Sequence, residues 1–265
     1  MLSPDWVLQY HAAPWGVLLL CLIFLVVKRK SVDLNGKSNV ASYSLNSILG
    51  ASLVAGAVFI PPSQDYAVFR VLLMALGVFV VIFGKGAKMP AILLAVYGFA
   101  ISFPLAIQRF AEDGYANSAL IPLLAITHAL GLPIQNQGQW IHFTSVSGEP
   151  ISVAVTVACA GSATMGVFIA LFVLMMLDRP LPPRKAAGLF FLGAAGTWLQ
   201  SVIRLVILLL VGYHIGNDAL WTAHYWTIYV LFPLWYLLFA YVYFRQFNRP
   251  ERGEKLINTK LAVER

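Results

Sequence analysis

Seven apolar runs dominate this sequence, at about 11–27, 44–60, 67–84, 89–107, 160–177, 186–212 and 225–244. Several approach the ~20 residues that an α-helix needs to cross a bilayer. The expected fold is therefore an all-α polytopic membrane protein with about seven transmembrane helices. Composition agrees: 60% of the 265 residues are hydrophobic and 11% are charged, against about a quarter charged in a soluble domain.

The charges then set the orientation. Lys28, Arg29, Lys30 and Lys37 follow the first run, which makes that loop cytoplasmic and puts the N-terminus outside. A further stretch, 117–134, is short and holds Pro122, His128 and Pro133. If it crossed fully, every later basic loop would lie outside. If it only dips into the outer interface, fifteen of the 18 basic residues fall on the cytoplasmic side. The sequence thus predicts an interfacial or re-entrant helix over 117–134 on the outer face. The net charge of +7 reads as a topology signal, with no nucleic-acid partner implied. No basic n-region or small-residue cleavage site marks a removable signal peptide.

One stretch has strand character. Gln139–Thr144 and Ile151–Val157 flank Ser145–Val146–Ser147–Gly148, and the second run alternates Ile/Val with Ser/Ala/Thr. That period of two predicts a small outer-face β-hairpin at about 137–157. Residues 1–244 are read as a single transmembrane domain and 245–265 as a basic cytoplasmic tail.

Three side chains stand out as chemistry. Cys159 lies where the second strand turns into the fifth span, at a helix N-terminus that favours a thiolate and can hold an oxyanion. Gly161 beside it would let a substrate backbone approach closely. The alternative is that a lone cysteine is a small apolar filler. Cys21, inside the first run among leucines, reads as a filler of that kind.

Arg204 lies well inside the sixth run, where a cation costs roughly 2.5–3.5 kcal/mol on insertion scales. Thr197, Gln200, Ser201 and Arg204 recur at helical spacing, so this polar stripe should face the bundle interior. Snorkelling to the headgroups is the competing reading, and it explains Arg70, near the outer end of its span, equally well.

His224 enters the seventh span within an aromatic belt, Trp221 to Trp226. It suits proton transfer near neutral pH, or belongs simply to the belt. His214 is its rival in the same loop, while His11, His128 and His142 read as structural. No metal-binding, nucleotide or cofactor motif is present.

These residues resemble the exosortase/archaeosortase family of polytopic cysteine transpeptidases. VTVACAGSATMG (155–166) is similar to the family's Cys-Ser/Ala-Gly nucleophile motif at Cys159–Ala160–Gly161. SVIRLVILLLVG (201–212) matches its intramembrane arginine at Arg204, and His224 stands where exosortases carry histidine. AITHALGLPI (125–134) also fits the family pattern. The chain departs at Ser201, where family members often have Asn, and in a short outer loop, 212–224.

The resemblance implies catalysis by Cys159, Arg204 and His224, with Gly161, Gln200, Ser201 and Arg70 as substrate-binding or supporting residues. It implies a site on the outer face of a bacterial or archaeal cytoplasmic membrane, with the C-terminus cytoplasmic. The implied partners are exported proteins with a C-terminal sorting signal: a short motif such as Pro-Glu-Pro, a transmembrane helix and a basic cluster. A lipid or polysaccharide acceptor would resolve the acyl-enzyme. Readings from other classes are a small transporter or channel using Arg204 and Arg70 as an anion site, and a non-catalytic scaffold for exopolysaccharide assembly.

Overall fold

The computed structural model describes residues 40–60, 64–83 and 88–247, with Leu19, Ile23 and Val26. Most of the expected first span, the basic loop after it, Cys21 and the tail beyond Phe247 lie outside the described residues.

Among the described residues from Val40 onward, seven helices and one small sheet follow in chain order. Helices α1 (Val40–Val58), α2 (Gln64–Phe83), α3 (Lys88–Phe110) and α4 (Glu112–Ala129) come first. The strands β1 (Gln135–Gln137), β2 (Trp140–Thr144) and β3 (Pro150–Ala154) come next. Helices α5 (Ser162–Asp178), α6 (Pro183–Ile215) and α7 (Asn217–Arg245) complete the fold.

Three of these helices, α3, α6 and α7, are long and apolar enough to cross a membrane. The apolar helical stretches Ser47–Val58, Phe69–Val81 and Ser162–Asp178 are shorter. Large apolar side chains such as Phe191, Leu234, Leu237 and Tyr241 point out of the bundle, the arrangement expected where the surroundings are hydrocarbon.

The helix ends follow local chemistry. Pro182 and Pro183 start α6, since an N-terminal proline loses no intrahelical bond. Between α6 and α7 only Gly216 intervenes, at φ +117 and ψ −179, a region open essentially to glycine. The expected loop 212–224 is therefore two helices meeting at one residue, and the seventh helix begins at Asn217 rather than near 225. The expected 117–134 element is α4, displaced toward the N-terminus. It starts directly after Ala111 breaks α3, keeps Pro122 inside and ends before Gly131 and Pro133.

The sheet has the order β1-β2-β3, antiparallel throughout. Trp140 pairs with Ala154 and Phe143 with Ile151. The short polar strand β1 adds a third strand to the expected hairpin. Ile141, Phe143, Ile151 and Val155 turn one face inward onto Leu120 and Leu123 of α4 and Leu205, Leu208 and Leu209 of α6. The other face shows Trp140 and Ser152 to the surroundings.

The sheet is also tied down by its turn. Val146 N–H donates to Tyr213 O at 2.8 Å, and Glu149 Oε2 accepts from Asn217 N–H at 3.0 Å. A carboxylate thus caps the first turn of α7, where the dipole favours negative charge.

At the other end of the bundle the core is aromatic: Phe168, Phe172, Phe239 and Tyr243 pack together, with Phe168 and Phe239 edge to face at 5.1 Å. The long helix α7 is pinned by its polar tips. Trp235 Nε1–H donates to Thr197 Oγ1 (3.1 Å), Tyr236 OH to Thr164 O (2.8 Å) and Tyr243 OH to Arg179 O (2.6 Å).

Candidate active site

Cys159 occupies a tight turn between the sheet and α5. Ala160 N–H donates to Thr156 O at 2.9 Å and Gly161 N–H to Ala158 O at 3.2 Å, which winds residues 156–161 into the helix. Thr156 meets the cysteine twice. Its hydroxyl donates to Cys159 Sγ at 3.5 Å and accepts from Cys159 N–H at 3.4 Å. The thiol is half-buried and lies on the cluster that holds Val155, Ala160, Val202 and Leu205.

Gly161 caps α5 in the left-handed region, φ +88. A Cβ there would overlap Ser201 Oγ on α6. The glycine therefore does two things: it permits the turn and lets the cysteine loop seat against α6 one turn from Arg204. Gly161→Ala is expected to cost about 1–3 kcal/mol from backbone strain alone, plus the Ser201 overlap. Thermal unfolding of purified protein should show the double variant Gly161→Ala/Ser201→Gly recovering part of the loss. No difference between the single and double variants would mean that the close approach is not under tension.

Arg204 is 3% exposed. Its Nε–H donates to Thr227 Oγ1 at 3.3 Å. Its Nη2 lies 3.2 Å from His224 Nδ1, 3.0 Å from His224 Nε2 and 3.3 Å from His224 O. A guanidinium can only donate, so the imidazole nitrogen that meets it must present a lone pair. None of these partners is anionic. Cys159 packs on the same cluster as Val202 and Leu205, which flank Arg204, and Ala223, which precedes His224.

The hydroxyls nearby spend their protons within their own helices. Ser201 donates to Thr197 O (3.2 Å), Thr197 to Gly193 O (2.9 Å) and Thr227 to Ala223 O (2.7 Å). This back-bonding lets polar residues sit in an apolar bundle at little cost.

The structure thus gathers Cys159, Gly161, Ser201, Arg204 and His224 into one place. Gln200 is half-buried and makes no hydrogen bond to this group. Arg70 lies on α2, which packs mainly on α1 and α3. His214 is exposed and stacks edge-on with Tyr213 at 5.0 Å. Two residues that no sequence motif singles out belong to the site, Thr156 and Thr227. Their signal was spacing: each lies three residues from a functional side chain, within reach around a turn.

The fold and the cluster describe a helical membrane protein in which a half-buried thiol packs on the cluster beside a buried arginine that meets an imidazole. The chain belongs to the transmembrane exosortase family, whose model matches residues 6–244. Exosortases are membrane sorting transpeptidases, generally cysteine-dependent, that act on exported proteins with sorting signals. No curated protein and no solved structure matches this chain.

Proposed function

We propose that this protein is a cysteine transpeptidase that cleaves the C-terminal sorting signal of exported proteins at the outer face of the membrane. It would pass them to a lipid or polysaccharide acceptor. Arg204 carries the reading: a buried cation that, among the described residues, meets the neutral groups of Thr227 and His224 beside the cluster on which Cys159 packs.

In this mechanism the His224 ring turns its one lone pair from Arg204 to the Cys159 thiol and takes its proton. The thiolate attacks the carbonyl of the scissile peptide, forming a C–S bond and a tetrahedral oxyanion. Arg204 balances the charge, first on sulfur and then on oxygen. Collapse breaks the C–N bond, and His224 returns its proton to the leaving amine. The signal helix departs and a thioester remains. A hydroxyl or amine of the acceptor attacks it, restoring the thiol. A signal helix beside the bundle, its basic end inside, would hold the motif at Cys159 and replace a bimolecular search.

The test is a reporter ending in a Pro-Glu-Pro segment, a transmembrane helix and a basic cluster, co-expressed with the protein. The wild type should release the signal helix; a reporter left wholly at precursor mass would remove this reading. Topology is checked separately in a Cys21→Ala background. A membrane-impermeant thiol reagent should label Cys159 in intact cells. Labelling only after the inner leaflet is opened would overturn the outer-face assignment.

A further inference from the structure

The sheet ends in a free edge that leads to the cysteine. Because the order is β1-β2-β3, one side of β3 has no neighbouring strand among the described residues. The ladder shows which groups face that side. Val155 N–H donates to Gln139 O and Ser145 N–H to Glu149 O, so the odd residues 151 and 153 between them bond to β2. Ser152 and Ala154 therefore turn their backbone N–H and C=O outward, about 6.8 Å apart along the strand. Neither N–H has a backbone partner among the described residues.

Ser152 is exposed and Ala154 half-buried. Pro150 opens the strand, a residue confined to edges and strand starts. From Ala154 the chain runs through Val155 to Thr156, whose hydroxyl meets Cys159 Sγ. The edge is thus a row of peptide-binding groups aimed at the thiol.

We propose that the peptide to be cleaved binds as an added strand on the free edge of β3, pairing at Ser152 and Ala154, so that its next residues reach Cys159. This rests on the transpeptidase reading and deepens it by naming how the substrate is held. The occupant is an extended peptide because the edge offers alternating backbone donors and acceptors. The direction follows from the proposed topology. A tethered substrate descends from the outside into its membrane helix, as β3 descends into α5, so the pairing is parallel. Backbone hydrogen bonding of this kind gives affinity with little dependence on sequence.

The variant that isolates the edge is Ser152→Pro. It removes an outward N–H, leaves the β2 ladder intact, and places the ring where an edge strand tolerates it. Ser152→Ala is its partner, because it deletes the hydroxyl that meets His142 Nδ1 at 2.8 Å and keeps the N–H. Asn136→Pro makes the equivalent change on the opposite edge, since β1 pairs with β2 through Gln135 and Gln137.

With the Pro-Glu-Pro reporter in nanodiscs, Ser152→Pro should raise KM roughly three- to tenfold, about the worth of one or two hydrogen bonds, with kcat within about twofold. Asn136→Pro should stay within about twofold of wild type in both constants, and Ser152→Ala should raise KM less than Ser152→Pro does. Should Ser152→Pro fail to fold, judged by loss of Cys159 labelling, wild-type protein is assayed with synthetic reporters. In these, single amides near the cleaved bond are replaced by esters at each non-proline position. Losses at every second position support strand addition.

A wild-type KM for Ser152→Pro, equal losses for Asn136→Pro, or an ester scan without a period of two would each overturn the proposal. So would a change in oligomeric mass with Ser152→Pro, which would assign the edge to a second copy of the chain. Any of these with cleavage still dependent on Cys159 leaves the transpeptidase reading intact. Cleavage by Cys159→Ala would remove that reading itself.

Discussion

Cys159→Ala and Cys159→Ser should each lower reporter cleavage by at least about 1000-fold, the loss expected when a covalent nucleophile is removed. Serine keeps the size and nearly the polarity of cysteine, but its hydroxyl stays protonated where a thiol ionises. The Thr156 hydroxyl lies at a sulfur spacing of 3.5 Å, and Arg204 reaches Thr227 and the His224 ring. Neither activates an alcohol. Uncleaved reporter should accumulate in the membrane at its full mass, while Cys21→Ala processes it near normally. Normal processing by Cys159→Ala would end the case for an acyl-enzyme.

Arg204 carries the second large effect. If its guanidinium meets charge that develops during acyl transfer, its loss should fall on kcat more than on capture. One such donor is worth about 2.7–4 kcal/mol, or roughly 100- to 1000-fold. Arg204→Ala should still co-purify with intact reporter and cleave it that much more slowly. Arg204→Lys should also be badly impaired. An ammonium is a point charge without the planar fork that reaches Thr227 Oγ1 and the His224 ring together. His224→Ala should fall between the arginine and cysteine variants. His214→Ala should be milder, given that residue's exposed position. Arg70→Ala, on α2, should keep most turnover. Single-turnover cleavage separates the outcomes: a lost complex with an unchanged rate for the bound fraction would make Arg204 a docking contact instead.

The candidate side chains were easier to pick out in the sequence than the bounds of the elements that carry them. A cysteine after alternating β-branched residues and an arginine inside an apolar run are local signals. The structure brings both to one cluster with His224. Helix ends were harder. Asn217 to Thr222 look like loop because they are polar and aromatic, yet a helix needs only backbone bonds, and Glu149 supplies the missing cap from a distant turn. His224 consequently sits seven residues inside α7 rather than at its mouth. Residues 117–134 misled in the same way: Gly131 and Pro133 belong to the turn and loop beyond the helix, while Pro122 is accommodated inside it. Thr156 and Thr227 escaped notice because a threonine near a helix start, or near the expected start of a span at 225, is ordinary. Only the three-dimensional partner makes either one specific. The polar stripe was right for Thr197, Ser201 and Arg204 as buried residues, but Gln200 lies to one side, since positions one residue apart differ by 100° around a helix.

Unequal helix lengths have a consequence for geometry. Helix α5 has 17 residues and α6 has 33, or roughly 25 Å against 50 Å of rise. The cysteine turn therefore meets α6 near its middle, at Ser201, and the upper part of α6 stands beside α4 and the sheet. In the proposed topology the short helix works as a ruler. It fixes how far above the inner membrane surface a peptide bond must lie to meet sulfur. The cleaved position would then be chosen largely by the length of the substrate's own helix, one turn of which shifts a bond by about 5.4 Å, and the motif would need only to be extended when it arrives.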